Sequence, residues 1–111
     1  MKINHELVER KGEIKALCLS HQVKFLYFFV SEVTGKIDEI ISDFDFVVEI
    51  YEKDPVERKI TLLSLLDQLE NLFQRKLELL TDSSIKNPYL RKSINASKVL
   101  IYDGLSEKIL F

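Results

Sequence analysis

Asp43 and Asp45 stand two residues apart in Ser42-Asp43-Phe44-Asp45-Phe46, at the head of an apolar run covering residues 43–51. In an extended strand successive side chains point to opposite faces, so the two carboxylates share one face and Phe44 and Phe46 share the other. An ionised carboxylate beside a buried sheet is costly unless it is paired, hydrogen-bonded or bound to a metal. Two on one face also repel each other, and a divalent cation between them relieves both problems. Mg²⁺ suits this arrangement, because it takes a few carboxylate oxygens, several waters and the phosphates of a substrate. The chemistry so served is phosphoryl-group transfer, in which the metal holds a triphosphate and offsets developing charge. The plainer alternative is a strand that begins at the solvent edge with both aspartates exposed, and Asp-x-Asp by itself leaves the choice open.

The elements that must position these carboxylates follow from periodicity. Residues 6–20 carry Leu7, Val8, Ile14, Leu17 and Cys18 between charged residues, which predicts an amphipathic helix with Gly12 as its weak point. Residues 23–30, Val-Lys-Phe-Leu-Tyr-Phe-Phe-Val, read as a central strand covered on both faces. Asp54-Pro55-Val56-Glu57 is a helix start: Asp54 caps, Pro55 suits the first helical position, and Glu57 sits where a capping-box carboxylate belongs. Ile60, Leu63, Leu66, Leu69 and Phe73 are then the expected buried stripe of a helix ending near Gln74. Residues 75–81 fit a short strand, Asn87-Pro88 opens a further helix through about Ser97, and residues 98–102 form a last strand before the turn signal Asp103-Gly104. Strands alternating with helices predict an α/β or α+β domain with a small mixed sheet packed against helices.

Composition narrows the classes of function. A chain of 111 residues, 46% hydrophobic and 31% charged, has room for one globular core. The formal net charge of −2, with acidic and basic residues interspersed, offers no basic stripe for duplex nucleic acid. No apolar run approaches the ~20 residues that span a bilayer. The first residues, Met1 to Glu6, lack the apolar stretch of a signal peptide, so the cytoplasm is the expected compartment. Cys18 is the sole cysteine, which excludes an intrachain disulfide or a cysteine-rich zinc site and makes it a small buried hydrophobe. His5 and His21 have no ligand partner at helical or strand spacing and read as surface or capping residues.

The segment Phe28-Phe29-Val30-Ser31-Glu32-Val33-Thr34-Gly35, followed by Ser42-Asp43-Phe44-Asp45-Phe46, resembles the signature of the DNA-polymerase-β-like nucleotidyltransferase superfamily, specifically its minimal stand-alone members. In those, an apolar strand ends in Gly-Ser, a turn and short helix follow, and a second strand carries Ser-Asp-x-Asp. Residues 75–81 resemble the third strand of that family, and residues 87–102 its closing helix and strand. The resemblance implies the nucleotidyltransferase fold over residues 1–104, with residues 105–111 as a C-terminal tail. It also implies that Asp43 and Asp45 bind the catalytic Mg²⁺, that Val30, Ser31 and Gly35 line the triphosphate site, and that Glu78 is a third carboxylate serving a second metal or the acceptor hydroxyl. Two positions depart from the family pattern. Val30 replaces a glycine that allows close backbone approach, and Glu78 replaces aspartate, moving its carboxylate by about a bond length.

By the same resemblance, the expected activity is transfer of a nucleoside monophosphate, AMP from ATP, to a hydroxyl of a separate partner. Minimal members of the family pair with small helical HEPN-type proteins as toxin–antitoxin systems, and the nucleotidyltransferase acts there as the antitoxin. Val30 favours a competing reading, a catalytically impaired binding module that neutralises its partner by contact. A third reading, a purely helical interaction protein, requires that the strands be absent. The closing Ile109-Leu110-Phe111 is an apolar cluster that docks either on the domain or on a second chain.

Overall fold

In the computed structural model, residues 5–29 and 45–111 are described. The expected first helix is two: α1 (His5–Glu9) and α2 (Lys11–Ser20). The interruption falls at Arg10, whose amide donates to Leu7 O three residues back, and not at Gly12, which lies within α2. Ile14 and Cys18 of α2 are buried, while Val8 is exposed. His21 closes α2, and Gln22 turns the chain with a positive φ of 57° into β1 (Val23–Phe29).

β2 (Asp45–Ile50) is antiparallel to β1, and α3 (Pro55–Phe73) follows. Asp54 caps α3 through its side chain, which accepts from Val56 N at 3.2 Å. The reciprocal contact expected from Glu57 is made instead by Glu52, whose Oε2 accepts from Asp54 N at 3.0 Å. The buried stripe of α3 is also turned relative to expectation. Leu65, Leu69 and Phe73 are buried with Leu62, Leu66 and Leu72 beside them, whereas Ile60 and Leu63 are more than half exposed. A helix with apolar residues this dense admits two overlapping stripes at 3.6-residue spacing, and packing selects one.

Gln74 ends α3 in the left-handed conformation, and β3 (Glu78–Leu80) then runs parallel to β2. Parallel neighbours need a long crossover, and α3 supplies it. β3 is shorter than the predicted strand at 75–81 because the chain before it is tied to the end of α3: Arg75 N donates to Glu70 O, and Leu77 N to Glu70 Oε2. A 3₁₀ turn (Asp82–Ser84) leads to α4 (Pro88–Ser97), capped by Asn87 Oδ1, which accepts from Tyr89 N at 2.8 Å and Leu90 N at 3.3 Å. β4 (Val99–Asp103) pairs antiparallel with β1, and residues 105–111 include β5 (Lys108–Ile109), antiparallel to β4. The sheet order is β3-β2-β1-β4-β5, with β1 in the middle as its apolar composition requires. This mixed sheet removes the purely helical reading. Among the described residues, no helix is long and apolar enough to cross a membrane.

The two sheet faces carry different cores. On one, α1, α2 and α3 set Leu7, Ile14, Cys18, Leu65, Leu69 and Phe73 against Leu26, Phe28, Phe46, Val48 and Tyr102. The Phe28 and Phe46 rings meet at 5.5 Å between centroids, and each such fully buried side chain contributes about 1.5–3 kcal/mol. On the other face a smaller cluster joins Phe29 and Val47 to Ile85 and to Ile94 of α4. Ile109 and Phe111 pack against the first core, so the apolar end of the chain lies on its own domain.

Candidate active site

Strand alternation divides β2 between these faces. Phe46 and Val48 go under the helices, which sends Asp45 and Val47 to the face of the smaller cluster. Asp45 is the first residue of β2 and is only 3% exposed. It is the register partner of Phe29 at the end of β1 and of Glu78 at the start of β3. Phe29, Asp45 and Glu78 therefore form one row across three strands, with Val47 in the next row beside Ile85 and Ile94. The row lies where β1 ends and β2 begins, at one end of the sheet.

The third carboxylate of the sequence reading is thus the direct neighbour of Asp45, and it is exposed. Neighbouring strands are about 4.8 Å apart, so two acidic side chains on one face at that spacing share an electrostatic environment that favours a cation. Their oxygen donors match the hard-ion preference of Mg²⁺. Among the described residues no three His, Cys, Asp or Glu side chains converge as a metal site, so Asp45 and Glu78 are the described part of the expected set. Asp43, Val30, Ser31 and Gly35 lie outside the described residues.

Three further features on this face of the sheet had no evident signature in the sequence. Arg91 of α4 clamps the segment after β3: Nη1 donates to Asp82 Oδ1, and Nη2 donates to the carbonyls of Asp82 and Ile85, each at 2.8 Å. The hydrogen bond from Arg91, and then its charge, hold the Asp82 carboxyl below its ordinary value. Lys98 sits with Nζ 4.4 Å from the centroid of the Tyr27 ring, where the ring face attracts the ammonium. Tyr27, in the row behind Phe29, has its hydroxyl pKa raised by desolvation and then by the Glu49 charge.

The histidines take structural places. His5 lies 3.4 Å from Glu9 on the exposed side of α1. His21 is buried between α2 and α3, with Nδ1 2.8 Å from Leu17 O and Nε2 2.9 Å from Ser64 Oγ. A carbonyl can only accept, so Nδ1 carries the hydrogen.

Against this geometry, the family described as "Nucleotidyltransferase domain" matches residues 11–101. A Methanocaldococcus jannaschii protein named as a candidate protein adenylyltransferase is 32% identical over 90% of this chain and 95% of its own length. A second from the same organism, with the same description, is 32% identical over 78% of this chain and 85% of its own length. Among solved structures, the complex of a tri-AMPylated Shewanella oneidensis HEPN toxin with an MNT antitoxin aligns with a TM-score of 0.58 at 16% identity, covering 90% of this chain and 75% of the matched one. A toxin–antitoxin structure with AMP-PNP aligns with a TM-score of 0.55 at 16% identity, covering 87% of this chain and 82% of the matched one. At these identities the structural matches speak to the fold.

Proposed function

The chain belongs to the nucleotidyltransferase-domain family, and on that premise we propose that it transfers AMP from ATP to a side-chain hydroxyl of a helical HEPN-type partner, acting as the antitoxin of that pair. The observation that carries the reading is the placement of buried Asp45 beside Glu78 in one row of the sheet, where β2 and β3 begin. Relatives named for protein adenylyl transfer, and a fold shared with an antitoxin bound to an AMPylated toxin, support the choice of AMP and of a protein acceptor. The use of ATP sets the reaction in the cytoplasm.

Asp43 and Asp45 would hold Mg²⁺, which when bound supplies charge neutralisation for the triphosphate and the departing pyrophosphate. Ser31 and the backbone from Val30 to Gly35 seat the phosphates. Asp45, buried at the head of a strand paired on both sides, is held in one orientation by the sheet. The acceptor oxygen attacks the α-phosphorus, the bond from that phosphorus to the bridging oxygen on the β side breaks, and pyrophosphate leaves. The hydroxyl proton passes to Glu78, whose exposure leaves it open to an incoming side chain.

The test incubates the protein with Mg²⁺, ATP labelled at the α-phosphate, and the HEPN-type protein encoded beside it. Label on the partner with the native chain, and none with Asp43→Asn/Asp45→Asn, is the expected result. A tight complex without label transfer or nucleotide binding would replace the enzyme with the binding module that Val30 favours.

A further inference from the structure

The outer side of α3 carries an aliphatic stripe. Val56, Ile60 and Leu63 stand at i, i+4 and i+7, which places them on one side of the helix, and they are 65%, 55% and 57% exposed. The buried residues Leu65, Leu69 and Phe73 leave the helix on the opposite side, toward the sheet. Polar residues suit the solvent side of a helix, so three aliphatic side chains in line there mark a contact surface. The stripe ends in charge at both ends. Its next position is Asp67, and before its first turn stands Lys53, the residue preceding the Asp54 cap. Both are exposed, and neither makes an ion pair with any described residue.

This surface is complementary to itself. Lys53 and Asp67 stand at equal sequence distance from Ile60, one on each side. A twofold axis through Ile60, at right angles to α3, lays a second α3 antiparallel on the first. Ile60 then meets Ile60 of the other copy, Val56 lies beside Leu63 of the other copy, and Lys53 of each faces Asp67 of the other. The end-to-end charge pattern is thus matched twice, once at each end of the contact. On one flank Lys59 comes near its own image, and each long stem carries the ammonium outward into water.

We infer that a second copy of this chain docks on the stripe, giving a twofold-symmetric dimer through α3 with reciprocal Lys53–Asp67 pairs. The charge pattern selects this occupant, because a surface with a cation at one end and an anion at the other, about an apolar centre, fits its own reversed image. A standard interface takes about 800 Å² from each partner and has an apolar centre within a polar rim. Val56, Ile60 and Leu63 supply that centre, and the charged ends and flanks supply the rim. The dimer leaves the candidate active site free. α3 begins just after β2 ends and returns the chain to the start of β3, so its first half lies away from the row of Asp45 and Glu78. The inference therefore does not rest on the catalytic reading.

Sedimentation equilibrium of the full chain, over a range that reaches nearly millimolar concentration, should show a monomer–dimer equilibrium. Ile60→Asp sets a carboxylate against its own image at the axis and should weaken the dimer at least about tenfold. Asp67→Lys creates a like-charge pair at each end and should weaken it by about tenfold. Lys53→Asp/Asp67→Lys restores opposite charges in reversed order and should return the dimer to within about threefold of native. All three positions are exposed, and circular dichroism checks that each variant keeps the native fold. A monomer at every concentration, a dimer indifferent to Ile60→Asp, or a double exchange no better than Asp67→Lys alone overturns the proposal. So does a chain that is monomeric by itself and loses its HEPN-type partner in Ile60→Asp, which makes that partner the occupant of the stripe.

Discussion

Asp45 and Glu78 are register partners across the parallel pair β2 and β3, one almost fully buried and the other exposed. That asymmetry separates two roles. A buried carboxylate held by paired strands keeps a fixed orientation, and an exposed one can meet an incoming group. If AMP transfer is the activity, Asp45→Asn should lower kcat by about a hundredfold or more with the fold kept, as removal of a preorganised electrostatic group does. Glu78→Gln should lower it by roughly 10²–10⁴-fold, as loss of a general base does. Rates equal to native for both variants, with native circular dichroism, would remove these residues from the chemistry.

Gly104 and Gly12 make a matched pair for stability. A Cβ on Gly104 would meet Val23 O at 2.5 Å and Lys24 O at 2.6 Å, both backbone atoms, while Gly104 N donates to Lys24 O at 2.7 Å. Neither neighbour can swing aside as a side chain would, so Gly104→Ala should destabilise by about 1–3 kcal/mol. A Cβ on Gly12 meets nothing within 4 Å, so Gly12→Ala in α2 should stabilise by about 0.5–1 kcal/mol. Urea denaturation of the two variants should show midpoints moving in opposite directions.

Cys18 is buried in the main core, and desolvation pushes its thiol pKa up to about 12. The native protein should therefore leave a thiol-specific disulfide reagent unreacted at mildly alkaline pH, with one equivalent consumed on unfolding in urea. The sign of the linkage follows. The folded pKa lies above the ordinary value of 9.0, so this contribution to stability is complete below 9 and falls as pH rises from there toward 12.

Asp82 shows the opposite sign. Arg91 depresses its pKa, so its contribution is present above the ordinary value of 3.8 and is lost as pH falls through the lower folded value. In Arg91→Ala a carboxyl NMR titration should find the Asp82 pKa raised back toward 3.8. The stability difference between native protein and Asp82→Asn should shrink on acidification below that range. An unchanged titration in Arg91→Ala would mean that the clamp acts only through the two carbonyls.

Local features of the chain were legible because their causes are local. Asp54 and Asn87 cap their helices through amides two or three residues onward, and Pro55 and Pro88 stand at the first helical positions, so both helix starts could be read from short strings. The face assignment of Asp45 against Phe46 needed only the two-residue period of a strand. Features that depend on distant partners could not be read this way. The turn of the α3 stripe toward Leu65, the break at Arg10, and the shortening of β3 by contacts to Glu70 were settled by packing between elements far apart in sequence.

The sequence by itself determined the class of the domain, the helix starts and which side of its strand Asp45 takes, because propensity, capping and alternation act over a few residues. Only the tertiary structure decided that Glu78 is the neighbour of Asp45, that Arg91 ties α4 to the turn after β3, and that β3 pairs with β2 only as far as Val47. Strand register and length come from where a whole helix lies down on its sheet, and no short stretch of chain carries that information.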